Sequence, residues 1–125
     1  MSYRIPTVMP LLLLTFCALG CGGDDLSGHW CAKRVTRPES CDALYLDVSE
    51  DDEELSGQFC EKYGSNCNPL INGKVEGSIV TFSYNIGNTD RADADLGWNL
   101  ENTELSGTLY STRCDCKIPL FLYRI

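Results

Sequence analysis

The chain has one histidine, His29. A histidine metal cluster needs several, and His29 falls on the outward side of its strand beside Trp30, where it is expected to be a solvated surface residue rather than a triad base. Basic residues are also scarce, with 10 Lys and Arg against 18 Asp and Glu. That balance excludes nucleic acid and an anionic membrane surface as partners, and leaves simple solubility or a basic protein partner. Apolar periodicity near 3.6 is missing throughout, which excludes a helical bundle. One apolar run exists, from Ile5 to Leu19, and two prolines interrupt it. It falls short of the roughly 18 to 20 residues that span a bilayer as a helix. The acidic stretch "EDDEE" at 50–54 lacks the glycine turn and spaced oxygen ligands of a Ca²⁺ loop, so it is expected to be a solvated hairpin tip. Asp93 and Asp95 share an outward face, and a carboxylate pair alone does not imply hydrolysis. No metal and no cofactor is expected, and no enzymatic activity.

What is present begins with an address. A single arginine, an uncharged apolar run and small residues ahead of a cysteine make residues 1–20 a signal peptide. Ala18-Leu19-Gly20-Cys21 resembles the bacterial lipobox, although leucine is usual where Ala18 stands. The resemblance implies cleavage by signal peptidase II and acyl chains, palmitate among them, on Cys21. More than one chain makes such an anchor lasting, at about 0.8 kcal/mol per buried methylene. Gly22 takes the place of the aspartate that signals inner-membrane retention, which points to the outer membrane. Residues 21–25 then form the lipidated cysteine and a short tether, and 26–125 a single domain.

The cysteines agree with this address. Of eight, Cys17 leaves with the signal peptide and Cys21 takes lipid, leaving Cys31, Cys41, Cys60, Cys67, Cys114 and Cys116. Six is an even number, and in an oxidising envelope compartment three disulfides are expected. Cys60 and Cys67 flank the tight "EKYGSN" hairpin and should bridge it. Cys114 and Cys116, one residue apart, should each find a partner elsewhere, towards Cys31 and Cys41. Without residues 1–20 the chain keeps nine basic residues against 18 acidic, a formal charge near −9.

The domain alternates at period two almost throughout, the mark of an all-β chain. Turn residues divide it into eight segments: Leu26 to Val35, Ala43 to Ser49, Leu55 to Glu61, Pro69 to Val75, Ser78 to Ile86, Ala92 to Glu101, Leu105 to Thr112 and Lys117 to Ile125. Short polar connectors make them successive antiparallel neighbours. "LSG" recurs in "DLSGHW", "ELSGQF" and "ELSGTLY", and "INGKV" follows the same scheme. Leucine, glycine and the next apolar residue share one face, with the serine on the other. Glycines on the apolar face of four strands let a sheet coil tightly and admit a neighbouring ring, so an eight-stranded up-and-down barrel is predicted. The alternative is a two-sheet sandwich in which the glycines mark bulges.

The succession "LSGHW", "ALYLDVSEDDEELSGQF" and "PLINGKV" is similar to the first half of the avidin and streptavidin family. More loosely, residues 26–125 resemble the lipocalin-like small barrels of many bacterial lipoproteins. The resemblance implies fold rather than activity. Biotin binding does not carry over, because Ala32 and Phe59 stand where that family has a hydrogen-bonding asparagine and tyrosine, and "LGW" at 96–98 falls one strand too late.

Trp30, Phe59, Phe82, Tyr84 and Trp98 fall on the inward face and are the candidate cavity-lining residues, joined by Leu44, Leu46, Val48, Val80, Leu96, Leu100, Leu120 and Leu122. Rings of this size, each burying on the order of 150 to 250 Å², favour a mostly filled barrel with a shallow mouth. The function expected is that of a lipid-anchored, non-enzymatic envelope lipoprotein binding a small apolar ligand or a basic protein. The alternative is an inhibitor of a secreted or periplasmic hydrolase, a lysozyme or protease, with the acidic hairpin entering a basic cleft.

Overall fold

A computed structural model describes residues 25–99 and 103–125. Residues 1–20, read above as a signal peptide, Cys21 and Leu100 lie outside the described residues. The strands are β1 (Gly28–Cys31), β2 (Tyr45–Asp51), β3 (Glu54–Lys62), β4 (Ser65–Pro69), β5 (Ile71–Glu76), β6 (Ile79–Ile86), β7 (Asp90–Asn99), β8 (Glu104–Ser111) and β9 (Cys116–Arg124), with one 3-10 turn at Pro38–Ser40. Each pairs antiparallel with its successor around the ring, except that β3 pairs with both β4 and β5. These two are halves of one staggered barrel position, interrupted at Leu70, so nine strands occupy eight places. The β1–β9 and β2–β3 pairings close the ring. The protein is therefore an eight-stranded antiparallel β-barrel, not a sandwich.

Two boundaries differ from the sequence reading by four residues, the largest differences. The first strand ends at Cys31 instead of Val35, because the Cys31–Cys41 disulfide turns the chain back over the outer face. The fourth begins at Ser65 instead of Pro69, because Cys60 and Cys67 are direct cross-strand partners joined by a disulfide, which extends the hairpin almost to its Tyr63-Gly64 turn.

The repeated leucine–glycine–apolar triplets face inward. Leu26, Trp30, Leu55, Phe59, Val75, Leu105 and Leu109 are all buried in one core. The serine faces water only in the second copy; Ser27 Oγ accepts a 2.9 Å hydrogen bond from the Glu50 N–H. The glycines work differently from the expectation that they admit rings. A Cβ on Gly57 would run into the Asp47 carbonyl and the Val48 Cα, and one on Gly107 into the Asp95 carbonyl and the Leu96 Cα. The missing side chain makes room for the neighbouring strand's backbone, which is what tight coiling of a sheet requires. Room for the rings comes from alanine: Tyr84 sits opposite Ala92 and Phe82 opposite Ala94 on β7.

One end of the barrel is sealed. Residues 25–27 cross beneath the core, where the Trp30 Nε1–H donates to the Leu26 carbonyl at 3.1 Å and the Leu26 N–H donates to Glu50 Oε1 at 2.9 Å. Arg124, from the last strand, lies 4.5 Å over the Trp30 ring and donates to the Ser27 and Asp25 carbonyls, each at 2.9 Å. Burial lowers the pKa of this guanidinium, and the Asp25 carboxylate opposes that shift. A second, outer core of Cys31, Cys41, Tyr45 and Cys60 lies between the barrel wall and the 32–44 segment.

Cys114 bonds to Cys116, not to Cys31 or Cys41. The register explains the correction: Cys31 pairs with Tyr123, and Cys116 stands seven residues earlier on β9, about 23 Å away at roughly 3.3 Å per residue.

Replacing Arg124 with methionine should destabilise the fold by about 1 to 3 kcal/mol, since it removes two charge-assisted bonds to half-buried carbonyls. Gly57→Ala should lose about 2 to 3 kcal/mol, because its φ of 134° and the Asp47 carbonyl both reject a Cβ. Urea unfolding followed by tryptophan fluorescence measures both.

Candidate functional site at the open end of the barrel

The opposite end carries the Tyr63-Gly64 turn, the 87–89 loop and the 112–115 turn, and between them lies a recess of about 460 Å³. Its apolar floor is Phe59, Tyr84, Ile86 and Leu44; its rim is Glu61, Asn66, Asn68 and Arg113. Strand alternation accounts for this composition. Phe59 and Glu61 share the inward face of β3, and Asn68 stands opposite Phe59 on β4. The inward face therefore changes from apolar to polar as it reaches the mouth.

Below the floor the rings continue into the core. Phe59 lies 4.9 Å from Tyr84 and 5.7 Å from Phe82 between ring centroids, both tilted. Of the five candidate cavity-lining residues, the structure brings Phe59 and Tyr84 to the recess. Trp30 and Phe82 are packed inside the core, and Trp98, on the closing half of β7, packs against the core from its edge. The Trp98 Nε1 is buried with no hydrogen-bond partner. Trp30, Leu26, Leu46, Leu96, Leu105 and Leu122 fill the barrel centre, each less than 2% exposed, and Phe59, as little exposed, lies between them and the recess.

The rim is partly paired. The Asn66 amide nitrogen bonds Glu61 Oε1, and Arg113 Nε donates to Asp90 Oδ2 at 3.4 Å. Burial pushes the Tyr84 phenol up to about 12, so it stays a neutral hydrogen-bonding group at any physiological pH. The recess thus offers an aromatic and aliphatic surface under amide, carboxylate and guanidinium groups.

Sequence reasoning missed Glu61, Asn66, Asn68, Ile86 and Arg113 as lining residues. The alternation Asn66-Cys67-Asn68 was a usable signal, since the outward Cys67 places both asparagines inward. For Arg113 there was none, because a turn residue shows no periodicity.

His29 faces outward as expected, yet it is not simply solvated: its Nδ1 lies 2.5 Å from the Tyr45 hydroxyl and its ring stacks on Tyr45. Burial, then Asp47 and Tyr63, pushes the Tyr45 phenol up to about 12. The acidic hairpin turns through Asp52 and Glu53 in the left-handed region and is exposed from Asp51 to Glu54, at the sealed end of the barrel. Asp93 faces outward and accepts from Ser83 Oγ at 2.6 Å and from Arg91 Nε at 3.1 Å.

No protein-family model matches the chain, and neither a curated protein nor a solved structure matches it.

Tyr45 and Tyr84 should ionise near pH 12, against an ordinary value of 10. The unfolded chain releases these protons first, so stability should be intact below pH 10 and fall as pH climbs from 10 through 12. Ultraviolet tyrosinate titration and urea unfolding across that window check both statements, and Tyr84→Phe should flatten the fall.

Proposed function

We propose that this protein is a lipid-anchored, non-enzymatic barrel of the bacterial envelope. Its recess takes a small ligand with an apolar face and a hydrogen-bonding edge. The observation that carries the reading is the asymmetry of the barrel, sealed at the end where residues 25–27 meet Trp30 and Arg124 and open over Phe59 and Tyr84. Apolar walls with a few convergent polar groups are the usual composition of small-molecule sites.

The anchor and the recess fit one geometry. Cys21 lies four residues before Asp25, a reach of at most about 14 Å for an extended chain. Acyl chains there hold the sealed end against the membrane, with the mouth pointing away from it. Gly22 after the cysteine favours the outer membrane, and the resemblance to lipocalin-like lipoprotein barrels supports the same assignment. The hydrolase-inhibitor reading is weaker on this geometry, because the acidic hairpin sits at the tethered end: Glu50 at its base accepts from the Leu26 N–H.

Two measurements test the proposal. Labelled palmitate should enter the wild-type chain and its Cys21→Ser variant should leave the membrane fraction; a variant that stays membrane-bound overturns the anchor. Native mass spectrometry of protein extracted from its host in mild detergent should show a bound small molecule that Asn68→Trp, which fills the mouth, removes. A ligand that survives that substitution, or none at all, retires the recess.

A further inference from the structure

The three disulfides are not equivalent. Cys31, Cys41 and Cys60 are at most 3% exposed and belong to the outer core around Tyr45, with Cys67 packed against them. Cys114 is exposed and Cys116 half-buried, on the turn between β8 and β9. The buried pairs join residues 10 and 7 apart in sequence; the exposed pair joins residues 2 apart. Loop-closure stabilisation grows with the loop enclosed, so this last bond contributes least to the fold. Accessible disulfides are also the ones that exchange.

Hydrogen bonds already hold the turn. The Thr112 N–H donates to the Arg91 carbonyl at 2.9 Å and the Arg91 N–H to Thr112 Oγ1 at 2.8 Å. The Thr112 hydroxyl donates to Asp90 Oδ1 at 3.1 Å, and the Tyr110 hydroxyl to Asp115 Oδ1 at 2.7 Å. The β8–β9 ladder runs unbroken from Ser111↔Cys116 to Glu104↔Tyr123. Opening the bond therefore leaves the barrel standing. Arg113 and Lys117 flank the pair, and cationic neighbours favour the thiolate, while the Asp115 carboxylate between the cysteines, which accepts from the neutral Tyr110 hydroxyl, opposes them.

We infer that Cys114 and Cys116, next in the chain to Arg113 of the recess rim, form a thiol–disulfide exchange site that takes two electrons from a dithiol partner. A partner thiolate attacks the exposed Cys114 Sγ, the Cys114–Cys116 bond breaks, and Cys116 leaves as a thiolate. The partner's second thiol then attacks the mixed disulfide and releases Cys114. The pair ends as two thiols and the partner as a disulfide, with its two protons passing to the released thiolates. The site requires neither the lipid anchor nor a ligand in the recess, so failure of those readings leaves it standing.

The full chain in detergent micelles is equilibrated with glutathione buffers of graded reducing strength, quenched by alkylation and read by peptide mass spectrometry. The Cys114–Cys116 pair should open at a ratio of reduced to oxidised glutathione at least tenfold lower than either buried pair needs. Opening together with them, or after them, overturns the inference. In parallel, the Cys116→Ser variant incubated with oxidised glutathione should carry one glutathione on Cys114, the same kind of mixed disulfide, and absence of that adduct overturns Cys114 as the sulfur that bonds the partner. The double variant Cys114→Ser, Cys116→Ser should melt within a few degrees of wild type, whereas a loss matching that of Cys31→Ser, Cys41→Ser shows a structural staple instead.

Discussion

Arg124 over Trp30 is the contact on which the architecture turns. A meander of antiparallel strands becomes a barrel only when its last strand returns to its first, and the β1–β9 ladder itself is short, with Trp30 opposite Arg124 and Cys31 opposite Tyr123. The guanidinium adds to that ladder a cationic face on the indole and two bonds to the carbonyls of the segment beneath the core. Cation–π contacts and charged hydrogen bonds strengthen when water is excluded, and here both are half-buried. The same group thus joins the sheet's ends and seals one mouth. Among the described residues no such plug covers the other end.

Inside, three kinds of small residue do three jobs. Glycine at 57 and 107 lets one strand's backbone press against the next, alanine at 92 and 94 leaves volume for Tyr84 and Phe82, and asparagine at 66 and 68 brings polarity to the rim. Outside, two disulfides and Tyr45 make a compact second core that ties the 32–44 segment down. A domain of this size buries a modest fraction of its surface, so such staples carry a large share of its stability. The third disulfide takes no part in this core, which is why its chemistry is free to differ.

The barrel class was legible because it depends on local pattern. Period-two alternation, short polar turns and the recurring leucine–glycine–apolar triplet are all readable within a few residues of one another, and the Cys60–Cys67 bridge is set by a hairpin whose two arms are adjacent in sequence. The candidate site was half legible. Phe59 and Tyr84 announce themselves as inward rings, but whether an inward ring lies in the core, as Phe82 and Trp30 do, or at the mouth depends on how far along the tilted strand it falls. Arg113 reaches the recess from a turn, and the pairing of Cys114 with Cys116 depends on the offset between β1 and β9, which accumulates around the whole ring.

Taken alone, the order of residues determined the strand alternation, which faces are apolar, the acidic charge and the apolar run from Ile5 to Leu19, because each is a property of neighbours a few positions apart. Tertiary structure alone decided which end closes, which rings meet solvent, which cysteines pair across the fold and what the glycines touch. Those outcomes depend on stagger and closure, and a strand acquires neither until all its partners are in place.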